Sequence, residues 1–212
     1  MAGPPRNLST EWGRLLLAGL AAAGVRDVVV SPGSRSTPFV LAAIADPRLR
    51  CVELVDERSA AFFALGQARI TGRPSVFVCT SGTAGAHALP AVVEASAARV
   101  PLVVLTADRP FERRDCGAPQ TIDQTRLFGA HARWFVELGL PDEDPRALRS
   151  LQRRALQAVA RAMAPVPGPV HLNAPVRRPL EPALPDALDE REARRCAELT
   201  ARVGRIAARA PR

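Results

Sequence analysis

A carboxyl group at the joint between a strand and a helix is the first feature of this sequence with chemistry in it. Glu57 follows the short apolar stretch 51–54 and opens onto 58–71, a run that reads as a helix apolar almost all the way round. Helices of that kind are buried, in a core or against a partner. A carboxyl in such surroundings is costly unless it is protonated or paired, and a bound ligand is the expected compensation.

Three further loops carry groups suited to an anion or a polar ring. Residues 31–37, Ser-Pro-Gly-Ser-Arg-Ser-Thr, set Ser34, backbone N–H groups and the Arg35 guanidinium before a helix N-terminus. That favours an anion, and Arg35 can grip a carboxylate with two hydrogen bonds. A plain helix cap with a solvated arginine fits the same residues, and the loop alone does not separate the two readings. Residues 80–85, Thr-Ser-Gly-Thr-Ala-Gly, form a second strand-to-helix turn that, taken alone, is an ordinary connection. Ser81 lacks the frame of a hydrolase nucleophile. Arg109 falls by position toward the same edge as Arg35, although a weak surface pair with Asp108 or Glu112 would also account for it. Gln120, within 114–124, is placed either over the pocket as an amide donor or in a helix-entry loop. Two arginines converging on one edge suggest a substrate with two or more carboxylates.

The elements that must position these groups alternate along the chain. Ser9 or Thr10 can cap a first helix that Gly24 ends. Strands are expected at 27–30, 51–54, 75–79, 101–106, 132–136 and 169–172. Helices are expected from the 31–38 loop to about 46, at 58–71, from 83 to about 97, near 121–128 and at 145–162. Short apolar strands alternating with helices predict an α/β fold, an open parallel sheet of about six strands with helices on both faces. Ligands of such sheets bind beyond the carboxyl ends of the strands. The segments 31–38, 56–57, 80–83 and 108–124 all fall there.

After Asn173 the character changes. Residues 174–185 hold four prolines and read as an extended linker. Residues 186–209 look helical, with Leu188, Cys196, Leu199, Val203 and Ile206 largely on one stripe. That helix either folds back or begins another domain. The expected division is 1–179 as the α/β domain and 180–212 as a linker with the start of a following domain or a C-terminal helix.

Composition excludes several chemistries. The formal charge is +8, yet all 29 basic residues are arginine and they are scattered singly or in pairs, so nucleic acid is not the expected partner. With no lysine there is neither a P-loop lysine nor a Schiff-base lysine. Cys51, Cys79, Cys116 and Cys196 form no CxxC, and His87, His131 and His171 have no metal spacing. No apolar run reaches the roughly 18 residues that span a bilayer, and residues 1–6 lack a signal-peptide core. A cytoplasmic protein without a membrane segment is expected.

Five segments together resemble one family: SPGSRSTP at 31–38, DERSAAFFALG at 56–66, CTSGTA at 79–84, LTADRP at 105–110 and RDCGAPQTIDQ at 114–124. They are similar, in order, to the N-terminal region of the 2-succinyl-5-enolpyruvyl-6-hydroxy-3-cyclohexene-1-carboxylate synthases, thiamine-diphosphate enzymes of menaquinone biosynthesis. The likeness runs from about Asn7 to Pro179. It implies the pyrimidine-binding domain of a thiamine-diphosphate enzyme. A glutamate at the position of Glu57 would hydrogen-bond the aminopyrimidine and promote removal of the thiazolium proton. Ser34, Arg35, Arg109 and Gln120 would bind the substrates, 2-oxoglutarate and isochorismate. Pro32, Thr80, Ser81 and Gly82 would line the pyrimidine pocket.

The resemblance also implies what is not in this sequence. Family members are much longer, with a GDG…N segment holding diphosphate and a magnesium or manganese ion, and nothing here matches it. The chain is therefore expected to be an N-terminal domain, incomplete as a catalyst, from a dimer or tetramer. Two other readings stay open. One is the pyrimidine domain of another thiamine-diphosphate enzyme, of acetohydroxyacid synthase or decarboxylase type. The other is a non-catalytic module that binds an anion or dimerises.

Overall fold

The computed structural model describes residues 7–183 and 188–209. The first helix, α1 (Leu8–Ala22), buries Leu15, Leu16, Leu17 and Leu20 completely. Each such side chain contributes roughly 1.5–3 kcal/mol. Its cap is Asn7, whose side chain accepts from the Thr10 amide at 3.0 Å, rather than Ser9 or Thr10. Ser9 instead donates to the Arg177 carbonyl at 3.0 Å.

Six parallel strands form one sheet: β1 (Asp27–Val30), β2 (Arg50–Glu53), β3 (Ser75–Cys79), β4 (Leu102–Asp108), β5 (Trp134–Glu137) and β6 (Pro169–Pro175), ordered β2-β1-β3-β4-β6-β5. Apolar residues fill β1, β3 and β4, as strands covered on both faces require. Strands β4 and β6 run further than their apolar cores suggested, because they pair without a break from Leu102↔Pro169 to Asp108↔Pro175. That pairing draws Ala174 and Pro175, expected in a linker, into the sheet. Strand β5 lies two residues later than expected at its start.

The chain leaves β1 for β2 on one side and returns past β1 to β3 on the other. Helix α2 (Thr37–Ala45) follows β1, and α3 (Glu57–Thr71) follows β2. They pack into different cores. Phe39 of α2 shares a core with α1. Ala60, Ala64 and Ala68 of α3 share the other with Phe77 and Val104. The reversal between β1 and β3 is a switch point, where sheets of this kind open a crevice at the strand ends.

Three expectations change. Helix α3 is not buried all round: small residues face the sheet, while Phe62 and Phe63 are 44% and 45% exposed. The helix expected from 83 to 97 is two, α4 (Thr83–Ala86) and α5 (Leu89–Ala97), and Pro90 in the first turn of α5 prevents continuation from α4. The helix expected near 121–128 is absent. Arg126 and Gly129 adopt left-handed backbone with φ of 51°, which helical hydrogen bonding does not accommodate.

Helix α6 (Pro145–Met163) packs on α1, as does α7 (Glu190–Ala207). Helix α7 starts later than 186; residues 186–187 lie outside those described, as do 184–185 of the expected linker. It folds back, burying Leu199 and Val203 in the core shared with α1. Thr200 donates to the Glu11 carboxylate at 2.9 Å and Arg14 to the Thr200 carbonyl at 3.1 Å. Among the described residues, no helix is long and apolar enough to cross a membrane.

Candidate functional site

Two turns meet at the switch point. Ser31 continues β1, donating its amide to the Val78 carbonyl at 2.9 Å and its hydroxyl to the Leu54 carbonyl at 3.0 Å. One residue thus ties the ends of β1, β2 and β3. Pro32 and Ser34 are exposed, and a tight 3-10 turn, Ser34–Ser36, leads into α2. Gly33 lies against Thr80, so closely that a Cβ there would collide with the threonine side chain.

The second turn holds Thr80, Ser81 and Gly82, all buried. The hydroxyls of Thr80 and Ser81 are buried without a hydrogen-bond partner, a costly arrangement that a polar ligand can relieve. Gly82 has φ +84°, and a Cβ on it would lie 2.9 Å from Cγ of Gln120. Its amide donates to Oε1 of Gln124 at 2.9 Å.

Glu57 is the first residue of α3, after the cap Asp56, whose carboxylate accepts from the Arg58 and Ser59 amides. It is half-buried, not sealed in the dry crevice its apolar flanks suggested, and Val55 just before it is exposed. At the end of β3, burial pushes the Cys79 thiol far up and the Glu57 carboxylate adds to the shift.

The arginines lie across β4 and β6. Arg35 is only 8% exposed. Its Nη1 donates to the Val176 carbonyl at 2.8 Å, while its buried Nε has no partner. Burial, then Arg109, Arg178 and Arg113, lower its pKa to about 10. Arg109 is half-buried, donates to the Pro119 carbonyl at 3.2 Å, and is lowered by burial and by Arg113 and Arg178. Gln120 is exposed with φ 56° and donates its amide to the Ser81 carbonyl at 3.1 Å.

Beneath the arginines runs a buried polar network. Asn173 accepts from Thr106 and Gln124 at 2.8 Å each. It donates to Asp108 at 2.8 Å and Glu137 at 2.9 Å. Arg114 bridges those two carboxylates at 2.6 and 2.8 Å. Sequence reasoning placed 108–124 at this edge without singling out Arg113 or Gln124, and it missed Asn173 and Arg178. The signal available for Asn173 was an amide that, with His171, interrupts a strand otherwise made of apolar residues and proline.

Residues 10–127 match the family described as thiamine pyrophosphate enzyme, N-terminal TPP binding domain. The chain belongs to the thiamine pyrophosphate enzymes. Named relatives agree. A 2-succinyl-5-enolpyruvyl-6-hydroxy-3-cyclohexene-1-carboxylate synthase of Sorangium cellulosum is 63% identical over 83% of this chain and 29% of its own length. Proteins of the same name from Chloroflexus aurantiacus and Geobacillus kaustophilus are 58% and 57% identical, over 82% and 83% of this chain. The chain spans about 30% of the length of these relatives.

At the switch point the chain offers buried polar groups that a polar ring can engage. The unpartnered hydroxyls of Thr80 and Ser81, and Glu57 beside β3, surround the switch point. Among the described residues, no group of three or more His, Cys, Asp or Glu is placed to hold a metal ion.

Proposed function

We propose that this chain is the pyrimidine-binding part of a synthase that decarboxylates 2-oxoglutarate and adds the product to isochorismate in menaquinone biosynthesis. The observation that carries the reading is Arg35: a buried guanidinium with an unpartnered Nε, set among other cations on the same sheet edge as Glu57. Such a group is poised for an anion.

Thiamine diphosphate, when bound, supplies the carbanion chemistry that decarboxylation needs. The residues of this chain do the rest. Glu57 shares a proton with the pyrimidine ring, and Thr80, Ser81, Gly82 and Pro32 line its pocket. Arg35, Arg109, Ser34 and Gln120 hold substrate carboxylates. The diphosphate and a magnesium or manganese ion would be held by residues outside this chain.

The open side of Glu57 fits a site completed by a partner surface. The half-exposed Phe62 and Phe63 lie on the same helix, α3, and we assign their face to a homo-oligomer. The enzyme would work in the cytoplasm.

Product analysis tests the reading. The native protein that carries this chain, given thiamine diphosphate, Mg2+, 2-oxoglutarate and isochorismate, should release carbon dioxide and form the succinyl adduct. Release of carbon dioxide from pyruvate in preference to 2-oxoglutarate would instead favour an acetohydroxyacid synthase or decarboxylase.

A further inference from the structure

Strands β4 and β6 end together, with Asp108 beside Pro175. The chain therefore carries Arg109 and Arg113 past one strand end and Arg178 past its neighbour. Arg35 reaches into the same place, since its Nη1 binds the Val176 carbonyl two residues before Arg178. Four guanidinium groups gather there. Arg35 is buried and Arg109 half-buried; Arg113 and Arg178 are exposed.

The carboxylates nearby are already engaged. Asp108 accepts from Arg114, Asn173 and the Arg109 amide. Glu112 is held by Arg177 through two bonds of 2.6 and 2.9 Å. Glu137 is held by Arg114 and Asn173. Among the described residues, none of the four guanidinium groups lies within ion-pair distance of a carboxylate. Burial, and after it the charges of the neighbouring guanidinium groups, lowers the affinity of Arg35 and Arg109 for their protons. Like charges brought together without counter-charge destabilise the empty fold, and a ligand of opposite sign reverses that penalty.

We propose that Arg113 and Arg178 complete, with Arg35 and Arg109, a recess selective for small organic dianions. The inner pair takes one carboxylate and the outer pair takes the second. This rests on the reading of the edge as a substrate site and adds two residues and a charge requirement to it. A single carboxylate satisfies the buried pair and leaves the outer pair uncompensated. A second carboxylate a few bonds away engages it. Because the outer pair is solvated, its contribution is long-ranged and weakens with salt.

Titration calorimetry on this chain tests the proposal, with succinate as the two-carboxylate probe and butyrate as its one-carboxylate counterpart. Succinate should bind at least about ten-fold more tightly than butyrate, a difference of ~1.4 kcal/mol. Arg113→Ala/Arg178→Ala should erase that preference by weakening succinate alone, and raising the salt concentration should do the same to the unaltered chain. Arg153→Ala/Arg161→Ala, which removes the same two charges from exposed positions on α6, should change nothing. Arg35→Ala should weaken both probes. If the double variant binds succinate like the parent while Arg35→Ala loses both probes, the role of the outer pair is wrong and the substrate-site reading stands. If Arg35→Ala binds both probes like the parent, that reading itself fails. Absence of any succinate preference in the parent chain overturns the proposal. Thermal melts of each variant confirm that binding is compared between folded proteins.

Discussion

The side-chain oxygen of Gln124 accepts the backbone amide of Gly82 at 2.9 Å, across 42 residues of sequence. The same side chain donates to Asn173 at 2.8 Å and to the Ala107 carbonyl at 3.2 Å. One amide thus fixes the glycine turn at the switch point to the strands that carry the arginines.

Gln124→Ala should therefore loosen the turn as well as the fold. It leaves a buried amide hydrogen on Gly82 without an acceptor, at a cost of about 1–3 kcal/mol. Urea denaturation should report the loss as a lower midpoint at unchanged slope. Gln124→Glu keeps the acceptor for Gly82 and loses the donor to Asn173, so it should retain the turn geometry better than alanine does. Equal amide-exchange rates at Gly82 in the two variants would contradict this assignment.

Glu57→Gln isolates proton sharing from binding, because glutamine keeps the size of the side chain. In the native protein that carries this chain, turnover should fall by about 100-fold or more, the range expected when a positioned acid–base group is lost. Carboxylate affinity at the arginines should be retained. Unchanged turnover removes Glu57 from the chemistry.

His171 predicts a pH dependence of stability. It is fully buried, and burial lowers its pKa to about 3. Thr106 gives its hydroxyl hydrogen to Asn173, so its oxygen accepts from Nε2 of His171 at 2.8 Å. Nδ1 then carries no proton, and it is buried without a partner. The unfolded chain, with a pKa near 6.5, binds a proton that the folded chain refuses. The stabilisation is thus complete above about pH 6.5 and is lost as pH falls toward about 3, with a limiting slope of about 1.4 kcal/mol per pH unit. Because carboxylates titrate in the same range, the readout is a comparison. His171→Gln should unfold with a flatter acid limb than the parent, and superimposable limbs would exclude His171 as the cause.

Phe62→Ser/Phe63→Ser tests the open face of α3. Both rings are a little more than half buried, so the folded chain should lose about 2–3 kcal/mol. Self-association measured by sedimentation equilibrium should weaken by about ten-fold or more, since buried aromatic anchors dominate interfaces. An unchanged association constant places the interface elsewhere.

Much of this architecture was legible in the sequence. The β-branched runs at 27–30 and 75–79 could only be buried strands, and the alternation with helices implied a parallel sheet. The loops with Ser34, Arg35, Thr80 and Gly82 could be placed at one edge because parallel strands all end on the same side. What the chain pattern hid was side-chain direction. Phe62 and Phe63 looked like core, but Ala60, Ala64 and Ala68 form the face that meets the sheet. Small residues permit close helix–sheet approach and carry little hydrophobic signal. Arg113 and Arg178 were hidden for a different reason: 65 residues separate them, and only the β4–β6 register makes them neighbours.

Helix α7 rests on α1, with Thr200 bonded to Glu11 and Arg14 bonded to the Thr200 carbonyl. Helix α1 leaves the ribosome well before α7, which covers part of it. At about 5–20 residues per second, its apolar stripe stays incompletely covered for on the order of ten seconds or more. Nascent chains of this protein should accordingly depend on a holding chaperone until α7 emerges.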